Sequence, residues 1–480
     1  MMYSARCMPG FMVSKITGYC SDPIRSWIVN RSRGGSATVP PLIFAAALAV
    51  AASDVGMAQA TTLEEAVSVA ISTHPTVKKA EAGKRAADEG VDEARADFFP
   101  TMDVAGEFGY ERTDNFFTRS QTDSGDSTED LARKLIVGEA RQNLFGGFGR
   151  FNRTSAAKER VKLARNNLID SAEAIGLRAT TAYVDVLRAR HVVNLAEENV
   201  RVHLDVRNNI QYKAEKGRSD SGDFNQAESR LSLARKRLNE ARGQLREAEA
   251  GFVEAVGQNP GTLQTPRPPH QSIPQTIDLA VAAAEEKNPA IMAAIDDVRA
   301  SGFDSKALES PYYPRFDVKL LGQGGNDVDG VKGDDNRFQA LLVMDYNLYR
   351  GGGDRARQRR SVAKASEARQ REAEIRRLVA EQTRIEYTAL LTARENLPIA
   401  ETRAKAAARV VSAYRQQFEL GHRSLLDVLD VVHELFEANV GVVNTDAEMM
   451  RAYYRVLATS GSLLSVLKVT APTAAAIGTS

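Results

Sequence analysis

The feature that most narrows the fold is an internal duplication. Residues 62–77 read TLEEAVSVAISTHPTV and residues 276–291 read TIDLAVAAAEEKNPAI, so Pro75 aligns with Pro289. At the same offset of 214, Phe98-Phe99-Pro100 aligns with Tyr312-Tyr313-Pro314. A loop then differs by ten residues and the offset becomes 204. At that offset Leu144-Phe145 meets Leu348-Tyr349, Tyr183 meets Tyr387, Gly217 meets Gly421, Asp223 meets Asp427 and Gly257 meets Gly461. The chain therefore divides into a leader (1–60), a first repeat (61–258), a proline-rich connector (259–275), a second repeat (276–465) and a tail (466–480).

Each repeat predicts the same order of elements. A helix comes first (64–97; 278–311), two strands follow, then a very long helix (150–215; 354–419), a glycine turn and a last helix (222–257; 424–463). At ~1.5 Å per residue the long helix would reach about 100 Å. Its apolar residues Leu168, Ala172, Ile175, Ala179, Ala182, Val186, Ala189, Val193, Ala196 and Val200 keep a 4-3 spacing, the mark of a coiled-coil seam. The helix after it does the same from Phe224 to Ala255, and the register survives duplication up to Thr459. Alanine at many seam positions suits thin walls of closely packed helices. Pro398 is expected to kink or break the second long helix.

The strands alternate. Met102, Val104, Phe108 and Tyr110 interleave with Asp103, Ala105, Glu107 and Glu111, and Phe316, Val318 and Leu320 with Asp317 and Lys319. Phe338, Ala340, Leu342, Met344, Tyr346 and Leu348 form a further apolar set. This apolar-out, polar-in dyad over about ten residues is the signature of a membrane-barrel strand. Phe98-Phe99 and Tyr312-Tyr313 suit an interfacial girdle. Thr118–Asp130 and Gln323–Asp335 are read as polar outer loops. Four strands cannot close a barrel, and open edges are not tolerated in lipid, so several copies must contribute. Three copies would give twelve strands.

Composition narrows the function. Basic and acidic residues nearly balance at 63 and 62, which gives no footprint for nucleic acid. Basic residues, an apolar run from Val39 to Ala52 and Ala58-Gln59-Ala60 make residues 1–60 read as an export signal. Both cysteines, Cys7 and Cys20, fall inside it. The six histidines show no metal-ligand spacing, no nucleophile–base set appears, and neither cofactor nor enzymatic activity is expected. A surface loop position accounts for His422, with proton sensing as the alternative. Gly351–Gly353 lack a phosphate-loop pattern and are read, with Gly146 and Gly147, as strand-to-helix bends.

The remaining stretch is Tyr414–Asp430, YRQQFELGHRSLLDVLD. Gly421 marks a turn, Ser424 is a suitable N-cap, and Asp427 stands at the capping-box position. Asp427 and Asp430 share a helical face. Read alone, they are carboxylates that complement a helix N-terminus.

With the repeat, LFGG (144–147), LYRGGG (348–353) and GHRSLLDVLD (421–430), the chain resembles the TolC-family outer-membrane channels across 61–466. The wording of RQNLFGG and of 414–430 is most similar to the members that serve type I secretion. The resemblance implies a homotrimer with a twelve-stranded barrel in outer-membrane lipid, continued by a periplasmic helical tunnel that an iris of helices closes. It implies that Arg423 and Asp223 form a latch, at positions flanking the turns at Gly217 and Gly421. Phe418 stands where a tyrosine can add a latch bond, and Gly222 where a threonine can. Asp427 and Asp430 match paired acidic rings at the narrowest point, where six carboxylates would raise one another's pKa and attract cations. Asn143 and Asn347 stand where many members carry a proline. The implied partners are a periplasmic membrane-fusion adaptor and an inner-membrane ABC transporter, with a drug–proton pump as the alternative. A periplasmic coiled-coil scaffold is the reading from a different class, and the strand dyads oppose it.

Overall fold

The computed structural model describes residues 61–121, 128–216, 220–472 and 475. The export-signal reading and Gly217 fall outside the described residues. The first repeat runs α1 (Leu63–Thr73), α2 (Pro75–Ala96), β1 (Thr101–Thr113), α3 (Phe116–Gln121), β2 (Glu129–Gly146), α4 (Gly149–Glu215) and α5 (Ser221–Val256). The second runs α6 (Ile277–Lys287), α7 (Pro289–Ala307), β3 (Arg315–Val328), β4 (Val331–Asp345), α8 (Gly353–Glu419) and α9 (Leu425–Thr459), followed by α10 (Leu463–Val466). Both long helices contain 67 residues.

Four sequence expectations need correction. The first helix of each repeat is two helices, broken at His74 and at Asn288. Proline forces the residue before it into extended backbone, and both residues have it, with ψ of 131° and 124°. The side chains then cap the next helix: His74 Nδ1 accepts from the Thr76 amide and Asn288 Oδ1 from Ala290 and Ile291. Pro398, by contrast, does not produce the break that was one of its two expected effects, and α8 runs through it. It faces outward, as does Arg394, whose carbonyl forfeits an amide partner, so water can replace the lost bond. Third, Gln323–Asp335 is a hairpin rather than a loop: β3 and β4 continue to a two-residue Asp329-Gly330 turn with φ of 57° and 79°. Positive φ at both positions is the type I′ turn that Asp-Gly favours. Fourth, the expected loop after β1 contains α3.

The four strands form one antiparallel sheet in the order β1-β2-β3-β4. Its register puts Thr101 opposite Arg141, Gly138 opposite Gly322 and Phe316 opposite Met344. Met102, Val104, Phe108, Leu320, Phe338, Leu342 and Met344 therefore share one face and lie open. The other face is charged. Arg133 bridges Glu107 and Glu111, Lys319 meets Glu139 at 2.9 Å, and Arg141 and Asn143 both hold Asp317, which is only 1% exposed. An apolar outside and a paired, charged inside suit a sheet between lipid and water.

The helices pack into a wall. Leu168, Ala172, Ile175, Ala179, Val186, Ala189, Val193 and Ala196 of the predicted seam are buried. The main core joins α1, α4, α5, α9 and α10 around Tyr183, Phe252, Tyr454 and Leu464. The connector straps across it. The Tyr183 hydroxyl donates to the carbonyls of Thr61 and Gln264, and the repeat-related Tyr387 hydroxyl donates to that of Pro274.

Candidate functional site: the charged turns at the helix ends

The turn after α8 is built by local chemistry. Gly421 has φ +79°, a backbone that costs a side-chain-bearing residue about 1 kcal/mol. The His422 amide donates to the Gln417 carbonyl and the Gly421 amide to Phe418, which together form a Schellman closure. Ser424 then caps α9: its hydroxyl accepts from the Asp427 amide at 3.2 Å, while the Asp427 carboxylate accepts from the Ser424 amide at 3.3 Å. Phe418 is anchored by Ile210, Leu425 and Leu429, with the Lys213 ammonium 4.4 Å from its ring centre. The turn is thereby seated on α4.

Of the sequence-predicted residues, Arg423 is held by its own turn and the helix before it. Arg423 donates to Gln417 at 2.9 Å, lies 4.0 Å from the Tyr414 ring centre and stands 3.9 Å from Asp427. Asp223 sits in the first turn of α5. Asp427 thus does the capping work of the plain reading. Asp430 does not stand alone: Arg230 of α5 donates to its carboxylate at 2.7 Å.

One heptad further from the turn, Arg237 meets Glu437 at 3.2 Å and lies against both ring nitrogens of His433. These residues were missed in the sequence. Their signal was present, since Arg230–Asp430 and Arg237–Glu437 are each 200 residues apart and the two pairs are seven apart, as parallel helices in register require. Desolvation and then the Arg237 charge hold the His433 pKa below the usual histidine value. Desolvation also lowers that of buried His203 on α4, whose Nδ1–H donates to the Asn199 carbonyl.

The strand-to-helix bends repeat the duplication. Gly147 and Phe148 have φ of 61° and 63°, and Gly351 and Gly352 have 59° and 77°. A Cβ on Gly147 would lie 2.6 Å from the Ser310 carbonyl, whereas one on Gly351 would meet nothing within 4 Å. Gly146 ends β2 beside Asn143. Asn143, at the position of the family proline, donates to the Phe316 carbonyl and to Asp317, so it pins β2 to β3. Among the described residues no group of three His, Cys, Asp or Glu side chains could hold a metal, and no helix is long and apolar enough to cross a membrane.

Comparison with known proteins extends these observations. The family described as "Outer membrane efflux protein" matches residues 66–258 and 280–462. Outer membrane efflux protein BepC of Brucella suis is 27% identical over 408 residues, which cover 84% of this chain and 86% of the relative. The fold is that of the Campylobacter jejuni CmeC outer membrane channel, with a TM-score of 0.71, 14% identity and 84% and 86% of the two chains covered. It is also that of Vibrio cholerae VceC, with a TM-score of 0.69, 14% identity and 85% and 97% covered. The match spans both repeats and everything from the sheet to the charged turns, so this chain belongs to the outer membrane efflux protein family of TolC-like channels, passive conduits rather than enzymes, set in the outer membrane and extending into the periplasm.

Proposed function

We propose that three copies of the chain form the exit duct of a tripartite export system, receiving substrate from a periplasmic adaptor and an inner-membrane pump. The observation that carries the assembly is a set of one-way contacts. The first repeat packs on the second through β2–β3, α4–α7 and α4–α9. The duplication calls for reciprocal contacts, β4–β1, α8–α2 and α8–α5. Within the chain β4 and β1 are the two open edges of the sheet, and α8 makes no comparable packing on α2 or α5. A neighbouring copy supplies each missing half, and the ring also removes the edges that lipid forbids.

The charged turns are read as the periplasmic gate. Asp427 and Asp430 line it, Arg423 latches onto Asp223 of an adjoining coil, and Phe418, Gly217 and Gly421 shape the turns. For the pump, the name of the Brucella relative, an outer membrane efflux protein, supports efflux. The wording of 141–147 and 414–430 supports type I secretion through an ABC transporter. Deleting the gene separates them. Lost resistance to toxic compounds with an unchanged set of secreted proteins means efflux, and loss of one secreted protein with unchanged resistance means type I secretion. A monomeric native mass in detergent extracts of outer membranes would defeat both.

A further inference from the structure

The carboxylates at the gate do not carry equal weight. Asp430 has a guanidinium 2.7 Å away on another helix, whereas the cation nearest Asp427 stands 3.9 Å off. Arg230 meets Asp430 directly, and the charges grouped with them around His433 are Arg237 from α5 and Glu437 from α9, with His203 of α4 also near His433. Arg237 and Glu437 already satisfy each other. Arg230 is therefore the charge that answers Asp430. A carboxylate paired at hydrogen-bond distance presents a passing ion with a dipole, and a dipole's pull falls off faster with distance than that of a lone charge.

We propose that Arg230 is a selectivity-determining residue of the gate: it neutralises Asp430, so that Asp427 alone draws cations to the constriction. The inference rests on the reading of these turns as the gate. It corrects the picture of six equivalent carboxylates, because three of them are spent on Arg230. It also assigns function to a residue of the first repeat whose counterpart in the second is Glu434, so the second repeat does not reproduce this charge.

The test is the cation-over-anion permeability ratio of the full mature channel in planar bilayers, together with block by hexaamminecobalt(III) added on the gate side. Arg230→Gln should raise the ratio about twofold or more and lower the blocking concentration, because three carboxylates are released into the field of the constriction. Arg230→Lys keeps the charge and should stay near wild type. Asp427→Asn should lower the ratio. The deciding variant is Arg230→Gln with Asp430→Asn, which replaces a neutral ion pair by a neutral amide pair and should match wild type in both readouts. If the double variant instead loses selectivity as Asp427→Asn does, or if Arg230→Gln alone changes nothing, Asp430 is an unpaired ring carboxylate and the proposal is wrong. Absence of conductance from wild type as well as the variants would refute the duct itself, and the role of Arg230 with it.

Discussion

Closure of the sheet between copies can be tested at the level of single residue pairs. Within the chain Gly138 stands opposite Gly322. The offsets of 204 and 214 turn that pair into Leu342 of β4 opposite Phe108 of the next copy's β1. Directly opposed residues on antiparallel strands have Cα atoms about 4.5–5.5 Å apart. Disulfides close over roughly 4.4–6.8 Å without moving the backbone. A slip of one residue sends the two side chains to opposite faces, and a slip of two adds about 6.8 Å along the strand, beyond reach in either case. Leu342→Cys combined with Phe108→Cys, in a chain with Cys7 and Cys20 replaced by serine, should therefore cross-link on oxidation in outer membranes. Denaturing gels should show covalent dimers and trimers and nothing larger. The control, Leu342→Cys with Gly109→Cys, places the second thiol on the opposite face and should stay monomeric. Monomers from the first pair, or equal yields from both, would refute closure by repeat symmetry.

Other expectations follow from individual groups. Burial raises the Glu173 carboxyl from 4.5 to about 7, so its contribution to stability is complete below pH 4.5 and is lost as pH rises through 7. That loss approaches ~3 kcal/mol by pH 8, and Glu173→Gln should abolish this component, seen as a smaller drop in melting temperature between pH 5 and pH 8. Gly147→Ala combines a positive φ with a Cβ 2.6 Å from the Ser310 carbonyl and should cost at least about 2 kcal/mol, read as lower heat resistance of the purified channel. The lowered His433 pKa means that its neutral form supports the fold above about pH 6.5 and that this support is lost as pH falls through the depressed folded value. Acidification should therefore loosen the Arg237 contacts and raise conductance, and His433→Gln should flatten that response.

Much of this architecture was legible because its punctuation is strong. Gly421 and Ser424 can be read as a turn because only glycine takes the left-handed backbone cheaply and a serine hydroxyl caps the next helix without tertiary help. The seams were legible because heptad burial needs only a period. The breaks at His74 and Asn288 were missed although Pro75 and Pro289 were noticed, because a proline at the first position of a helix and one inside a helix look alike in a long apolar pattern. The break expected at Pro398 does not occur, since the cost of a proline depends on which face it occupies. The Asp329-Gly330 turn was obscured by the polar strand ends around it. Arg230 and Arg237 were invisible to motif reading because their partners lie two hundred residues away, and only the parallel register of α5 and α9 brings them together.

That register also distinguishes the two kinds of boundary at the proposed gate. Inside a protomer, α5 meets α9 with Arg230 on Asp430 and Arg237 on Glu437. The repeat-related boundary, between α9 of one copy and α5 of the next, would oppose Glu434 to Gln226 and Gly441 to Leu233, and neither pair carries opposite charges. The structure therefore places two heptad-spaced ion pairs within each chain, and duplication places none at the corresponding heights between chains. The latch proposed for Arg423 and Asp223 would span copies there. A gate so tied should part first along the boundaries between protomers, with each protomer's own coils moving together. Raised salt separates the two cases, because exposed ion pairs weaken once the screening length falls to a few ångströms, about 3 Å at 1 M. In a channel with Arg423→Ser, which removes the latch proposed between copies, conductance divided by the conductivity of the bath should rise further with salt only as the Arg230 and Arg237 ties give way. In the same channel with both arginines also replaced by glutamine that extra rise should vanish. Its persistence would mean that the ties within the chain hold nothing at the gate.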